Sequence, residues 1–444
     1  MNAASLPSGP ALAERFAARD ACVGIIGLGY VGLPLALAFA ERGFRVLGFD
    51  VDPSKVEDLA RGVCYIRHLD GGRLRAARER GGFEASGDFD RLGEPDAILI
   101  CVPTPLDAHR EPDLSYVDQT GEQIARRLRS GQLVVLESTT YPGTTEERLL
   151  PMLEAADRVC GRDFFLAFSP EREDPGNPRF GTTDIPKVVG GVNEASATVA
   201  EALYASVFPR VVRVSSPRVA EAAKLTENIF RAVNIALVNE LKVVYEPLGI
   251  DVWEVLDAAA SKPFGFMRFT PGPGWGGHCI PVDPFYLAWK ARGHGLKARF
   301  IELAGEVNRE MPAYVISRLV GALNDRGRAI RGSKVMVLGL AYKPDIDDPR
   351  ESPAFELLDR LLALGAEIAY HDPHVPVAPA MRTWPSLPPL ASEALSASAL
   401  SALDAVVVAT DHSTVDYALV ARHAPLIIDA RGVYRQPRAN VVKA

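Results

Sequence analysis

Cysteine is scarce in this chain: five in 444 residues, at positions 22, 64, 101, 160 and 279. An odd number, so scattered, makes neither a disulfide framework nor a metal-ligand spacing, and a reducing cytoplasm is the expected compartment. No apolar run approaches the roughly 18–20 residues of a membrane helix. The opening stretch MNAASLPSGPALAERFAARD has no basic segment followed by an apolar one, so no signal peptide is expected. A basic excess is missing too: Lys and Arg number 49 against 56 Asp and Glu, a formal net charge of −7. That balance argues against nucleic acid or an anionic membrane as the main partner, and leaves room for a local basic pocket for phosphates.

What is present is a long chain of alternating strand and helix signals. A length of 444 residues exceeds one compact core and predicts two or three domains. Short apolar runs at 22–26, 45–49, 97–102, 133–136 and 164–168 read as strands, with 187–189 and 211–214 extending the same sheet. Helical stretches between them predict a parallel, doubly wound sheet over residues 1–215. Residues 217–248 hold good helix formers and no internal proline before Pro247, which predicts one helix of about 30 residues. A Gly/Pro-rich stretch at 262–284 follows, long for a loop and rich in aromatic residues, and therefore functional rather than idle. With a further helical region it makes a central part, 216–326, suited to dimerisation. Residues 327–444 repeat the first pattern, with strands at 334–338, 367–370, 405–409 and 426–428. The expected fold is thus α/β: two Rossmann-like doubly wound domains joined by a long central helix.

The chemistry is carried by a few motifs. GLGYVG at 27–32 follows a strand and opens a helix, the GxGxxG spacing that lets a backbone approach a pyrophosphate at a helix N-terminus. Asp50 closes the next strand, where a carboxylate accepts ribose hydroxyls. An acidic residue here favours NAD over NADP, although Lys55 lies close by. Cys279 sits in GPGWGGHCIPVDP, whose glycines permit close backbone approach. It reads either as a buried structural thiol, as expected for Cys22, Cys64, Cys101 and Cys160, or as a nucleophile. A thiolate attacking an aldehyde gives a thiohemiacetal, and a second hydride transfer gives a thioester. Lys224 and Asn228, four apart on one helix face, are either a solvated face or a device that stabilises a developing alkoxide. Glu171 in SPEREDPGN belongs to a surface turn or acts as a general base. His278, adjacent to the cysteine, is a poor partner for it because neighbouring side chains diverge.

GLGYVG, STTYPGTT at 138–145, SPER at 169–172, KLTENIFRAVNIALVNEL at 224–241, GGHCIPVDP at 276–284 and GLAYKPDIDDPRESPA at 339–354 together resemble the UDP-glucose/UDP-mannuronate dehydrogenase family, in order from about residue 22 to 435. The resemblance implies a four-electron oxidation of C6 of a UDP-sugar with two NAD, one water and no metal. It implies Cys279 as nucleophile, Lys224 and Asn228 as oxyanion partners, and Asp283 as a carboxylate working with the lysine and a water. Thr139 helps hold that water, and Glu171 is the base for thioester hydrolysis. NAD falls to Gly27, Gly29, Gly32, Asp50 and Thr104, with Tyr30, Val31 and Thr139 alongside. The nucleotide-sugar falls to Lys343 and Arg431, with Glu171, Lys224, Asn228 and Gly276. A homo-oligomer, dimer or higher, is expected as well.

The chain departs from the glucose-oxidising branch at Pro175 and Pro263, which puts in doubt a second glutamate and an arginine that the branch has there. The wording SPEREDPGN and KPFGFMRFTPGPG is instead similar to the branch acting on UDP-N-acetyl-hexosamines, most like UDP-N-acetylglucosamine 6-dehydrogenases of surface-polysaccharide pathways such as O-antigen and lipopolysaccharide. UDP-ManNAc and UDP-glucose are the alternatives. A two-electron hydroxyacid-type dehydrogenase and a non-enzymatic NAD-binding regulator are the competing classes. The first leaves Cys279 and the last domain without a role, and the second would bind NAD but turn over no UDP-sugar.

Overall fold

The computed structural model describes residues 9–66, 69–107, 111–155, 157–172, 183–277, 280–381 and 383–444. The chain forms two compact units, residues 1–227 with 285–296 and residues 228–284 with 297–444.

In the first unit eight strands form one sheet: β1 (Cys22–Ile26), β2 (Arg45–Phe49), β3 (Phe83–Ser86), β4 (Ala97–Ile100), β5 (Leu133–Leu136), β6 (Phe165–Phe168), β7 (Lys187–Gly191) and β8 (Val211–Val214). Their order is β3-β2-β1-β4-β5-β6-β7-β8, so the winding reverses between β1 and β4, where an open α/β sheet binds its ligand. β1, β4, β5 and β6 are buried along their whole length, as their unbroken apolar sequences require of strands covered on both faces. The helix Gly32–Glu41, GLPLALAFAE, is apolar nearly all round and buried through Ala40. It joins the main core with Leu33, Leu35 and Phe39, each fully buried side chain contributing roughly 1.5–3 kcal/mol. The doubly wound reading holds with one exception: β7 runs antiparallel to β6, so the far edge of the sheet is mixed. The strand β3 and the helix Gly9–Ala18 went unread in the sequence. β3 is short and interrupted by an exposed glutamate, which hides its alternation.

In the second unit five parallel strands, β9 (Lys334–Leu338), β10 (Glu367–His371), β11 (Ala405–Val408), β12 (Ile427–Asp429) and β13 (Val441–Lys443), run in the order β10-β9-β11-β12-β13. The winding reverses between β9 and β11, as it does in the first unit. Helices Arg299–Asn324 and Pro353–Ala363 cover this sheet and share its core. The expected long helix is Pro217–Tyr245, 29 residues. Its residues up to Glu227 belong to the first unit and those from Asn228 to the second. Among the described residues from 261 to 282 there is no helix or strand, in keeping with the Gly/Pro-rich composition. No helix among the described residues is long and apolar enough to cross a membrane.

Candidate active site

The glycine motif of the first unit has the geometry a dinucleotide needs. Gly27 has φ +91°, and a Cβ there would meet the Cys101 carbonyl oxygen at 2.4 Å. A Cβ on Gly32 would come within 1.9 Å of the Gly27 carbonyl oxygen, so only glycine lets the helix start this close to the strand. Gly29 differs: a Cβ there meets nothing within 4 Å, which leaves the room a pyrophosphate fills. The helix that follows has Val31 at its N-cap and no side-chain cap, so its first N–H groups suit an anion. Asp50, 6% exposed, accepts the Leu28 N–H at 2.9 Å and the Asp52 N–H at 3.0 Å. The Lys55 ammonium stands 3.3 Å from it. Tyr30 and Val31 are half-buried on the turn, and so is Thr104, whose carbonyl accepts the Tyr286 hydroxyl at 2.8 Å. These residues fit NAD.

Further along the same unit, Lys224, 7% exposed, donates from Nζ to the Glu171 carbonyl oxygen at 2.5 Å. The solvated-face reading of Lys224 is therefore wrong: burial of an ammonium with its partner fixed is a built feature. The Glu171 carboxylate accepts the Arg172 N–H at 2.7 Å and lies 3.0 Å from Lys187 Nζ. Lys187 also pairs with Glu137 at 2.6 Å, and Tyr204 donates its hydroxyl to the same glutamate. Glu171 thus stands on a buried network rather than a free surface turn. Burial pushes the Glu137 carboxyl up, and its ammonium neighbour opposes that shift. Thr139 is half-buried on the STTYPGTT loop, which is pinned by Glu221: its carboxylate accepts Gly143 N–H at 2.5 Å and Thr145 N–H at 3.0 Å. Sequence reasoning missed Glu137, Lys187 and Glu221. For Glu137 and Lys187 the one available signal was a charge bordering an apolar strand, and for Glu221, inside the long helix, there was none.

In the second unit, the fully buried Asn228 donates its amide to the Asp283 carboxylate, and Arg231 donates to the Asn228 side-chain oxygen. Asp283 opens the helix Asp283–Gly293 and is 4% exposed. The family resemblance pairs Asp283 with Lys224 and a water; here Asp283 is in contact with Asn228, while Lys224 is bonded to the Glu171 carbonyl. Gly276 and Gly277 pack on Tyr342: a Cβ on Gly276 would meet the Tyr342 Cβ at 2.7 Å, and one on Gly277 the ring at 2.9 Å. The cysteine-bearing loop and the GLAYK turn, some sixty residues apart, are in contact through these glycines. Lys343 lies on that turn with its ammonium 5.9 Å from the Tyr342 ring centroid. Arg431, two residues beyond β12, donates from Nε to Asp411 at 2.8 Å and lies across Gly272. His278 and Cys279, and Pro175 of the branch comparison, lie outside the described residues. The other four cysteines are free. Burial pushes the Cys22 thiol up to about 11 and holds Cys101 and Cys160 above the ordinary range, as inert structural thiols require.

One group among the described residues has metal-ligand character: Asp345, His374 and His412, with ligand atoms within 4.8 Å of one another. His412 Nδ1 accepts the Asp345 N–H at 3.0 Å, so its Nε2 carries the proton and donates to Asp372 at 3.0 Å. Both ring nitrogens are engaged, and two ligands remain.

The UDP-glucose/GDP-mannose dehydrogenase family matches the chain in three successive pieces: its NAD binding domain at residues 21–208, its central domain at 218–310 and its UDP binding domain at 336–436. The chain is 35% identical to the UDP-N-acetyl-D-glucosamine 6-dehydrogenase of Pseudomonas aeruginosa over 397 residues, 89% of this chain and 91% of that one. It is 36% identical to the UDP-N-acetyl-D-mannosamine dehydrogenase of Escherichia coli K12, over 94% of this chain and 99% of that one. Among solved structures, the UDP-D-ManNAc dehydrogenase of Pyrococcus horikoshii superposes with a TM-score of 0.84 at 31% identity, covering 95% of this chain and 98% of that one. With the glycine cradle, Asp50 and the Lys224, Glu171, Asn228 and Asp283 contacts in place, the chain belongs to the UDP-glucose/GDP-mannose dehydrogenase family, NAD-dependent oxidoreductases that act on nucleotide sugars.

Proposed function

We propose that the protein oxidises C6 of a UDP-N-acetyl-hexosamine, UDP-GlcNAc first, from alcohol to carboxylate. The observation that carries this reading is the pair of contacts one helical turn apart, Lys224 on Glu171 and Asn228 on Asp283. Each contact brings together two of the residues whose roles the family likeness assigns. Bound NAD supplies the hydride acceptor, held by Gly27, Gly29 and Gly32 at its pyrophosphate and by Asp50 at its ribose. Asp283, with Lys224 and a water held by Thr139, takes the hydroxyl proton as the first hydride leaves C6. Lys224 and Asn228 stabilise the negative oxygen. The Cys279 thiolate then adds to the aldehyde carbon, loss of a second hydride gives a thioester, and water attacks that ester with Glu171 as base. The alcohol, one water and two NAD yield the carboxylate, two NADH and three protons, with the thiol restored.

In this reading residues 1–215 hold NAD, 216–326 supply the cysteine loop, and 327–444 hold the uridine diphosphate through Lys343 and Arg431. Phe230, Leu237 and Val244 are exposed at seven-residue intervals on the long helix, an apolar stripe that supports a homo-oligomer in solution. The substrate test is NADH production from UDP-GlcNAc, UDP-ManNAc, UDP-GalNAc and UDP-glucose, with the product weighed. UDP-GlcNAc should give the highest kcat/KM. The 36% identity to a mannosamine enzyme makes UDP-ManNAc the second candidate, and its predominance overturns the choice of sugar. Glu171→Gln should slow ester hydrolysis more than hydride transfer, so intact-protein mass spectrometry should find an adduct on Cys279. A variant that turns over normally removes Glu171 from the reaction.

A further inference from the structure

The loop that precedes the cysteine is held from below by two side chains of the long helix. Asn239, fully buried, accepts the Gly272 N–H at 2.9 Å, and Lys242, 4% exposed, donates from Nζ to the Gly272 carbonyl at 2.8 Å. Both backbone polar groups of one residue, and so the two peptide units that flank it, are thus fixed by side chains three residues apart on one helix face. Asn239 is itself held, donating to the Asn308 side-chain oxygen at 2.8 Å, and Asn308 donates to the Ala304 carbonyl at 2.9 Å. Gly272 is the residue across which Arg431 lies: a Cβ there would stand 2.5 Å from Arg431 Nη1. Asp411, on the loop after β11, holds Nε of the same guanidinium.

A buried ammonium with one hydrogen-bond acceptor among the described residues is an expensive way to hold a carbonyl. The other groups facing it add little compensation. The Tyr314 ring lies 5.4 Å from Nζ, Arg431 repels the charge, and Asp429 attracts it. Asp429 is already engaged by the Arg431, Val433 and Tyr434 N–H groups and by Lys443 at 3.4 Å. Beyond Tyr314, Arg318 and Glu246 pair with each other at 2.7 Å. A methionine or leucine would fill this position with better stability, so the lysine answers a need other than packing.

We propose that Lys242 is a positioning residue of the nucleotide-sugar site: with Asn239 it clamps the backbone of Gly272 from both sides, aims the Arg431 guanidinium across that glycine, and sets a second positive charge beneath it for a pyrophosphate. This rests on the assignment of Arg431 to the sugar nucleotide. Burial and the Arg431 charge bring the Lys242 ammonium down to about 7, so its charge turns over in the working range. A bound diphosphate favours the charged form. Affinity is therefore greatest below about pH 7 and weakens as pH rises through that value.

The test is calorimetric titration with UDP-N-acetylglucosamine in the absence of NAD, and separately with NAD, on the full-length protein. Lys242→Met should raise the Kd for the sugar nucleotide about tenfold, leave the Kd for NAD within about twofold, and leave the thermal midpoint equal or higher. The wild-type Kd should weaken between pH 6 and 8.5, and in Lys242→Met that slope should vanish. Gly272→Ala, which crowds Arg431 while leaving Lys242 in place, should raise the same Kd. A lysine with only a packing role would instead lower the midpoint and leave the sugar-nucleotide Kd and its pH slope unchanged, which overturns the clamp. Arg431→Ala run in parallel separates the two ideas. If it weakens the sugar nucleotide while Lys242→Met does not, the clamp fails and the site stands. If Arg431→Ala has no effect, the assignment of the site fails and the clamp with it.

Discussion

The two sheets of this protein begin with the same turn and finish it differently. In each, a glycine follows the first strand in a left-handed conformation, Gly27 at φ +91° and Gly339 at φ +86°. Each glycine donates its N–H to the last carbonyl of the next strand, Phe49 at 2.7 Å and His371 at 2.8 Å. Each next strand is followed by an aspartate, Asp50 or Asp372. From there the two part. In the first turn the third residue is Gly29, with open space where a side chain would be. In the second it is Ala341, fully buried, whose carbonyl accepts the Thr410 hydroxyl at 2.6 Å. Asp50 accepts two backbone N–H groups, whereas Asp372 accepts four, from Leu340, Ala341, His374 and Val375, and the His412 ring besides. A carboxylate so occupied has no capacity left for ribose hydroxyls. The same supersecondary unit thus serves a dinucleotide in one half. In the other it is closed, and two cations, Lys343 and Arg431, lie beyond the ends of β9 and β12.

The sharpest break in that comparison is at the aspartates and the cations. Asp50→Ala should raise the KM for NAD by about a hundredfold and leave the KM for the UDP-sugar nearly unchanged. Steady-state kinetics with each substrate varied in turn reads both. Arg431→Ala should do the reverse, raising the KM for the UDP-sugar by about ten- to fiftyfold and sparing NAD. If Arg431→Ala weakened NAD instead, the ligands would have been assigned to the wrong halves.

Asp372→Asn should be a stability variant and not a cofactor variant. Its hydrogen bonds from His412 and the backbone outweigh burial and hold the carboxyl down at about 2, against an ordinary 3.8. A depressed carboxyl stabilises the folded state above its unfolded value and loses that contribution as pH falls through about 2. The shift corresponds to roughly 2 kcal/mol at neutral pH. Urea unfolding should show a loss of about that size in Asp372→Asn at pH 7 and a smaller one at pH 3, with the Kd for NAD unchanged.

Much of this was legible in the sequence because it is written locally. The GxGxxG turn, the buried helix behind it and the 29-residue helix follow from periodicity and the placing of glycine. So does the second sheet, whose strands are short apolar runs ending at His371-Asp372 and Asp429. What stayed hidden is what only tertiary packing decides. The charges of Lys187, Glu137 and Lys242 look like surface charges in a sequence, and nothing local marks them as buried. The antiparallel β7 was hidden because an apolar run gives no direction. Val441–Lys443 was too short a run beside the chain end to be read as a strand.

The most direct test of the central claim, a four-electron oxidation at C6, is to count NADH per UDP-N-acetylglucosamine consumed under limiting sugar nucleotide while the product is identified by mass. Two NADH per sugar and a product carrying a carboxylate are the expected result. One NADH per sugar, with aldehyde as the only product, would contradict it.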